Sequence, residues 1–463
     1  MDHRDRGRQY AAAALFVLVS CAVPAAALAS SSPPVQAPMN LTDAVAYALD
    51  HTATVAQKVA AVRNAEHALA QARGNAFPTV NGQLQNSLGK NANYEGNFAA
   101  IGVPQQSVFS QNTAQLYTNY TLTTGGLSFL QLASARASAA QAEEDLANTE
   151  DQIATNVTNA FYNVVQKQAI VVVDQSDVSY QTVLVDAAKA KEKAGVSAGV
   201  DVLKAQVAQI KSQSTLVGAK ADVDTARESL AQTIGSSLDQ PFVFPNAVPQ
   251  PPLPAQPVGA LETLAVESRP DVKAASESLN AAKATRKGWD RELFPTVQVG
   301  AAIGNQLSPT SLQYQPPPRS GSPGFWALSA TSTFTLPLVD YNQRHSERVQ
   351  DDAAVTSARL LLDQAETQAQ VDVRQSFRSA QTAMAQLDYA KHESELGIES
   401  ARIAQLQYEH GLIALADVIQ TQEQAVVAES DLVNARVAYV DAVVKLRVSL
   451  GIYDAKSAVA DLH

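Results

Sequence analysis

The chain has 463 residues, a formal net charge of −11, 17% charged residues and only 6% aromatic ones. The acidic balance argues against a nucleic-acid surface, which needs a basic patch, and a single cysteine, Cys21, excludes an intramolecular disulfide. A composition led by Ala, Gln, Val, Ser and Leu is too poor in large apolar groups for several thick cores and suits helices packed closely through small residues.

The N-terminus carries Arg4, Arg6 and Arg8, then an apolar run from Tyr10 to Val23. This is the pattern of a secretory signal peptide, assigned to residues 1–29 and excluded from fold reasoning. Two processing readings stand. Ala27-Leu28-Ala29 is a small-x-small site that leaves Ser30 as the mature start, whereas Leu18-Val19-Ser20-Cys21 resembles a lipobox that leaves Cys21 lipidated. The apolar stretch from Ala22 to Leu28 favours the first. No later segment has about 20 uninterrupted apolar residues, so no transmembrane helix is expected. If this exported chain spans a membrane, it must do so with strands.

Residues 30–40 form a polar, Pro-bearing lead-in. One helix is expected from about Thr42 to Gly74, stopped by Phe77-Pro78, because proline removes a donor and restricts the residue before it. Residues 79–124 then change character. Ala114, Leu116, Tyr120 and Leu122 recur with period two, as do Trp326, Leu328, Ala330, Phe334 and Leu336 in the region 296–339. Alternation over about ten residues is the signature of a membrane β-barrel strand. The Asn-, Gly-, Pro- and Ser-rich stretches at about 87–107 and 304–323 read as long hairpin loops. Four strands cannot close a barrel, since small barrels need about eight, and open edges are not tolerated in lipid.

Leu127 to Ala194 contains no proline and no glycine, and Asn342 to His410 contains no proline and a single glycine, Gly397. Each predicts a helix of roughly 100 Å at 1.5 Å per residue. Ile153, Val157, Phe161 and Val164 share one stripe. The returning helices carry Leu216, Ala219, Val223, Ala226 and Leu230, and Leu432, Ala435, Tyr439, Ala442 and Leu446, the 3-4-3-4 spacing of a coiled-coil seam. The Pro-rich linker 236–257 is extended, and residues 452–463 are a tail.

The chain contains this unit twice, in repeats over 41–235 and 258–451. Residues 41–80 align with 258–297 at a displacement of 217, both ending on Phe-Pro-Thr-Val (Phe77 to Val80, Phe294 to Val297). From about Gly125 the displacement is 216, pairing Phe161 with Phe377, Gly195 with Gly411, Asp201 with Asp417, Gln206 with Gln422 and Gly235 with Gly451. A unit of about 195 residues is far longer than a solenoid repeat.

Helix, strand hairpin, very long helix and returning helix, duplicated behind a signal peptide, resemble the TolC family of outer-membrane efflux proteins over nearly the whole mature chain. The Phe-Pro-Thr-Val junction, the junction Pro337-Leu338-Val339-Asp340-Tyr341-Asn342, and the turns from Gly195 to Leu203 and from Tyr408 to Ile419 carry the resemblance. The second junction departs from the family's Gly pair, which Gly125-Gly126 keeps in the first copy. The resemblance implies a mainly α fold with a membrane β-barrel part. A homotrimer would have a twelve-stranded barrel in outer-membrane lipid and a helical tunnel reaching into the periplasm of a Gram-negative-type bacterium. It further implies a periplasmic adaptor (membrane fusion protein), an inner-membrane pump of the RND or ABC class, and a duct for drug or toxic-compound efflux. Type I protein secretion and an exported coiled-coil adaptor are the alternatives, the latter leaving the two hairpins unexplained.

Gly195 and Gly411 end long helices and allow the chain to reverse. The resemblance gives them a second role as adaptor-contact tips. Asp201 and Asp417 lie six residues further on, where an acid in the first helical turn complements the macrodipole. In the family the second copy's Asp lines a constriction, which threefold symmetry makes a carboxylate ring, and the first copy's Asp accepts a hydrogen bond from the tyrosine preceding the second tip glycine, here Tyr408. Two family gate positions differ. Ile413 stands where an arginine is found and Gln420 where a second aspartate is found, so the implied gate has fewer polar links or is held by packing.

No enzyme site is expected. The seven histidines show no metal-ligand spacing. Ser87-Leu88-Gly89-Lys90 lacks the first glycine of a phosphate loop, and the G-x-S-x-G run Gly195-Val196-Ser197-Ala198-Gly199 joins two helices without the preceding strand of a nucleophile elbow. Glu143-Glu144 and Asp351-Asp352 sit on long polar faces that read as solvated. No cofactor or nucleic-acid partner is implied.

Overall fold

The computed structural model describes residues 38–93, 105–123, 126–195, 197–238, 240–245, 248–292, 296–306, 325–335 and 343–453. The signal peptide with Cys21, the junction from Pro337 to Asn342 and the tail beyond Tyr453 lie outside the described residues.

Asn40 opens the first helix, α1 (Leu41–His51), with a reciprocal capping box to Asp43. The expected single helix is two. Thr52 is extended (φ −74°, ψ 128°) and α2 (Ala53–Gly74) follows it. The second copy breaks at the equivalent place, Arg269 (φ −62°, ψ 130°), between α5 (Val258–Ser268) and α6 (Pro270–Glu292). There Pro270 enforces the break by disfavouring helix in the preceding residue. The first copy has Ala53 instead, and tertiary packing decides. The break lets Leu41, Ala44, Val45 and Ala48 of α1 enter a core with Val157, Phe161 and Leu230.

The strands β1 (Thr79–Asn93), β2 (Gln105–Thr123), β3 (Thr296–Gln306) and β4 (Phe325–Thr335) form one antiparallel sheet in sequence order. β1 and β2 run through much of the stretch expected to be loop. Their register continues unbroken from Thr79↔Asn119 to Asn93↔Gln105, because the ladder is made by main chain whatever the side chains. The register aligns the alternation across all four strands. Gly82 opposes Leu116, Leu116 opposes Ile303, and Ile303 opposes Leu328; likewise Val297 opposes both Leu122 and Phe334. One face is thus predominantly apolar, with Val80, Leu84, Leu116, Val299 and Ile303 exposed. The other carries Asn81, Gln83, Gln115, Asn119 and Gln298.

Two long helices, α3 (Leu127–Lys193) and α7 (Gln343–Glu409), have 67 residues each. They return as α4 (Gly199–Ile234) and α8 (Leu415–Ser449). The seam residues Leu216, Ala219, Val223, Ala226 and Leu230 are buried, as are Tyr439, Ala442 and Leu446. The linker is extended and also packs. Met39 bridges Phe242 in parallel, Phe244 lies 4.9 Å from Phe161, and the Tyr439 hydroxyl donates to the Pro251 carbonyl at 2.5 Å. Three apolar clusters result: one on α1, α3, α4 and α8, one on α5, α7 and α8, and one where the two helical reversals meet.

Candidate gate at the paired helix ends

The two reversals have the same backbone. Gly195 and Gly411 take φ values of 74° and 75°, a left-handed conformation open to glycine. Their N–H groups bond the Glu192 and Tyr408 carbonyls, each at 2.9 Å. Ala198 and Ala414 are extended before α4 and α8, both at φ −79°. The N–H groups of Asp201 and Asp417 then donate to the Ala198 and Ala414 carbonyls at 2.9 and 3.1 Å, which sets both acids in the first turn of a returning helix.

The side chains differ. Two residues past the glycine, copy one has Ser197 and copy two has Ile413. The Ser197 hydroxyl donates to Asp201 Oδ2 at 2.6 Å, so that carboxylate is engaged within its own turn. Ile413 has no donor. It packs onto the apolar cluster of Leu184, Val185, Ala188, Val202, Ala205 and Val418. Asp417 is exposed, and among the described residues its carboxylate has no hydrogen-bond or ion-pair partner. Gln420 is exposed one turn further along.

Tyr408 is buried in the same cluster, 4% exposed, but the expected hydrogen bond to Asp201 is not formed. Its hydroxyl has no partner among the described residues, and Asp201 Oδ2 accepts from Ser197 instead. Burial and then the nearby Asp201 charge hold the phenol above its ordinary pKa. What reaches Tyr408 instead is Lys191, from the last turn of α3. Its ammonium lies 3.9 Å from the ring centroid and donates to the Tyr408 carbonyl. Sequence reading missed both Lys191 and Ser197. Ser197 was findable, since it occupies the offset at which Ile413 was noted. Lys191 was not, because its partner lies 217 residues away.

Further along the helices from the reversals, a polar layer joins the copies. Asp177 Oδ1 accepts from Gln181 at 3.3 Å on its own helix and from Gln422 of α8 at 3.1 Å. Asp174 is buried beside it, and burial, then Asp177, raises its carboxyl pKa. The arrangement thus offers two reversals clasped by apolar packing, one cation across them, and one unengaged carboxylate facing outward. Among the described residues no group of three or more His, Cys, Asp or Glu is placed to hold a metal, and no helix is long and apolar enough to cross a membrane.

The family model described as "Outer membrane efflux protein" matches residues 45–236 and 261–452. The chain is similar to outer membrane efflux protein BepC of Brucella suis biovar 1 (strain 1330), at 25% identity over 262 residues. That match covers 57% of this chain and about half, 54%, of the relative. Among solved structures it resembles the outer-membrane channel OprN (TM-score 0.73, 20% identity, 89% of each chain covered). It also resembles the outer membrane protein VceC of Vibrio cholerae (TM-score 0.73, 19% identity, 89% and 96% covered). At these identities the likeness is one of fold.

Proposed function

The chain belongs to the outer membrane efflux protein family, and from that premise we propose that it is the exit duct of a tripartite efflux system. Outer-membrane residence with a periplasmic extension follows from the family. The duct itself is read from one observation. The four-stranded sheet ends in β1 and β4, neither of which has a second neighbour among the described residues. An unpaired backbone group in lipid costs several kcal/mol, so the β1 edge of one chain pairs with the β4 edge of the next. Three copies of four strands make a closed barrel of twelve. A second seam supports this. Val200, Leu203, Val207, Ile210 and Val217 recur at 3-4 spacing on α4 and are exposed in the single chain, which suits a neighbouring copy.

In this reading, conduction is passive. Cargo enters from a periplasmic adaptor seated on the reversals at Gly195 and Gly411 and leaves through the barrel, with energy supplied by an inner-membrane pump. The helix ends close the tunnel, and three copies of Asp417 form a carboxylate ring there. Efflux of small toxic compounds, and not protein secretion, is the function we assign. The test is assembly and current. Protein extracted from outer membranes in mild detergent migrates as a heat-modifiable trimer and conducts in planar bilayers. A stable monomer, or cross-linking that stops at dimers, overturns the reading.

A further inference from the structure

We infer that Lys191 is the cationic tie between the two helix ends, a positioning residue that holds the second copy's reversal against the first. The consequence drawn from it, a shut resting state, rests on the duct reading; the tie itself does not.

The Tyr408 carbonyl closes the last turn of α7, and one of its lone pairs is used by the Gly411 N–H at 2.9 Å. The other takes the Lys191 ammonium. The same ammonium sits 3.9 Å from the ring centroid of Tyr408, within range of a cation–π contact. Carbonyls at a helix C-terminus carry partial negative charge, so a cation there is favoured. Among the described residues Lys191 has no carboxylate partner. The ring and the α7 end are therefore what offset its charge in a half-buried position.

The tie is one-sided. At the displacement of 216, Lys191 corresponds to Gln407 and Tyr408 to Glu192, so copy one holds copy two and the reverse contact does not exist. The ring of Tyr408 is pinned between the ammonium and the apolar cluster below it. Moving the α7 end away from α3 breaks the carbonyl bond and the ring contact together. Neutralising the ammonium removes both and leaves the apolar packing alone.

The test uses full-length trimers of wild type, Lys191→Met, Lys191→Arg and Lys193→Met. Lys193 is an exposed lysine in the same helical turn. Two readouts are taken: resting conductance in planar bilayers and hydrogen exchange of the 408–414 segment. Lys191→Met is expected to raise resting open probability roughly tenfold, a factor within reach of one charge-assisted hydrogen bond, and to speed exchange by a similar factor. Lys191→Arg keeps a cation and several donors and stays within about twofold of wild type. Lys193→Met changes neither readout. If Lys191→Met matches wild type in conductance and in exchange, the tie is overturned. If no trimer conducts, wild type included, the duct reading fails and exchange alone decides the tie.

Discussion

At the end of α3 the chain reverses through Gly195, Ser197 and Asp201, and at the end of α7 through Gly411, Ile413 and Asp417. The glycine angles agree within one degree and the first-turn hydrogen bonds within 0.2 Å. Yet the first turn occupies its carboxylate internally, whereas the second leaves its carboxylate exposed and turns an isoleucine into the core. Duplication has kept what the backbone requires and released the rest. A pair of equivalent elements can therefore diverge, one carboxylate engaged and one left exposed, without altering the fold that presents them.

The sharpest way to test how far the copies have diverged lies at the other end of the returning helices. Gly235 and Gly451 are equivalent, with φ of 71° and 66°. Each ends its helix against the break in the first helix of its own copy. At Gly235 an added methyl meets only the His51 carbonyl, at 4.0 Å. At Gly451 it would lie 2.7 Å from the Arg269 nitrogen and 2.8 Å from its Cα. Gly235→Ala is expected to cost about 1–2 kcal/mol, the ordinary left-handed penalty. Gly451→Ala adds a backbone clash and is expected to cost about 3 kcal/mol or more. Thermal unfolding of the two variants checks this. Equal losses would mean the two junctions are packed alike.

A second contrast concerns Asp441, whose counterpart in copy one is Thr225. Asp441 lines a cavity of about 560 Å³ with Asp151, Arg269, Asp372 and Lys445, and among the described residues its Oδ1 has no hydrogen-bond partner. Burial pushes its carboxyl up to about 6, against the opposing pull of Lys445. Below about pH 4 both folded and unfolded states are protonated here and the group costs nothing. Between about pH 4 and 6 the folded state holds more protons, so stability falls as pH rises, and above that the penalty is complete. Asp441→Asn is then expected to be more stable than wild type by roughly 1–3 kcal/mol at neutral pH, with the gain vanishing toward pH 4. A gain that does not depend on pH would assign the effect to packing.

Legibility followed the same division between backbone and side chain. The absence of proline, and of glycine but for Gly397, marked α3 and α7 to within a residue or two, and period two marked the strands. Both are local, repeated signals. The break at Thr52 was invisible because Ala53 carries no local instruction. Its partner at Arg269 carried a local mark in Pro270, which the sequence reading did not use. The length of β1 and β2 was hidden because Asn, Gly and Gln suggest loop while ladder hydrogen bonds ignore side chains. Lys191, Ser197 and the packing of the linker depend on which helices end up adjacent, and no local pattern records that.

The two aspartates themselves give a smaller effect. In an assembled trimer Asp417 is expected to face the axis and Asp201 its own serine. Asp417→Ala should weaken block of single-channel current by trivalent or hexammine cations several-fold. A carboxylate about 4 Å from a unit charge is worth about 1 kcal/mol even in bulk water. Asp201→Ala should leave block unchanged, since Ser197 already holds that oxygen. Equal losses of block would place both rings on the axis and end the contrast between them.

The smallest expected effect is at Tyr408, and it separates two accounts of the closed tip. If the hydroxyl bonded Asp201, Tyr408→Phe would remove a bond to a charged group, worth about 1.5–3 kcal/mol, and resting conductance would rise ten-fold or more. The hydroxyl is buried and unpartnered among the described residues, while the ring and the main-chain carbonyl make the contacts. Phenylalanine keeps both and removes a desolvated oxygen. Tyr408→Phe is therefore expected not to raise resting conductance and to stabilise the tip, because an unpaired buried polar group costs about 1–3 kcal/mol. Tyr408→Leu keeps the carbonyl and loses the ring, and should raise conductance through the lost cation–π contact, about 0.5–1 kcal/mol, together with the ring's lost packing in the apolar cluster. Conductance that rose as much in the phenylalanine variant as in the leucine variant would return the hydroxyl to the gate and remove the ring from it.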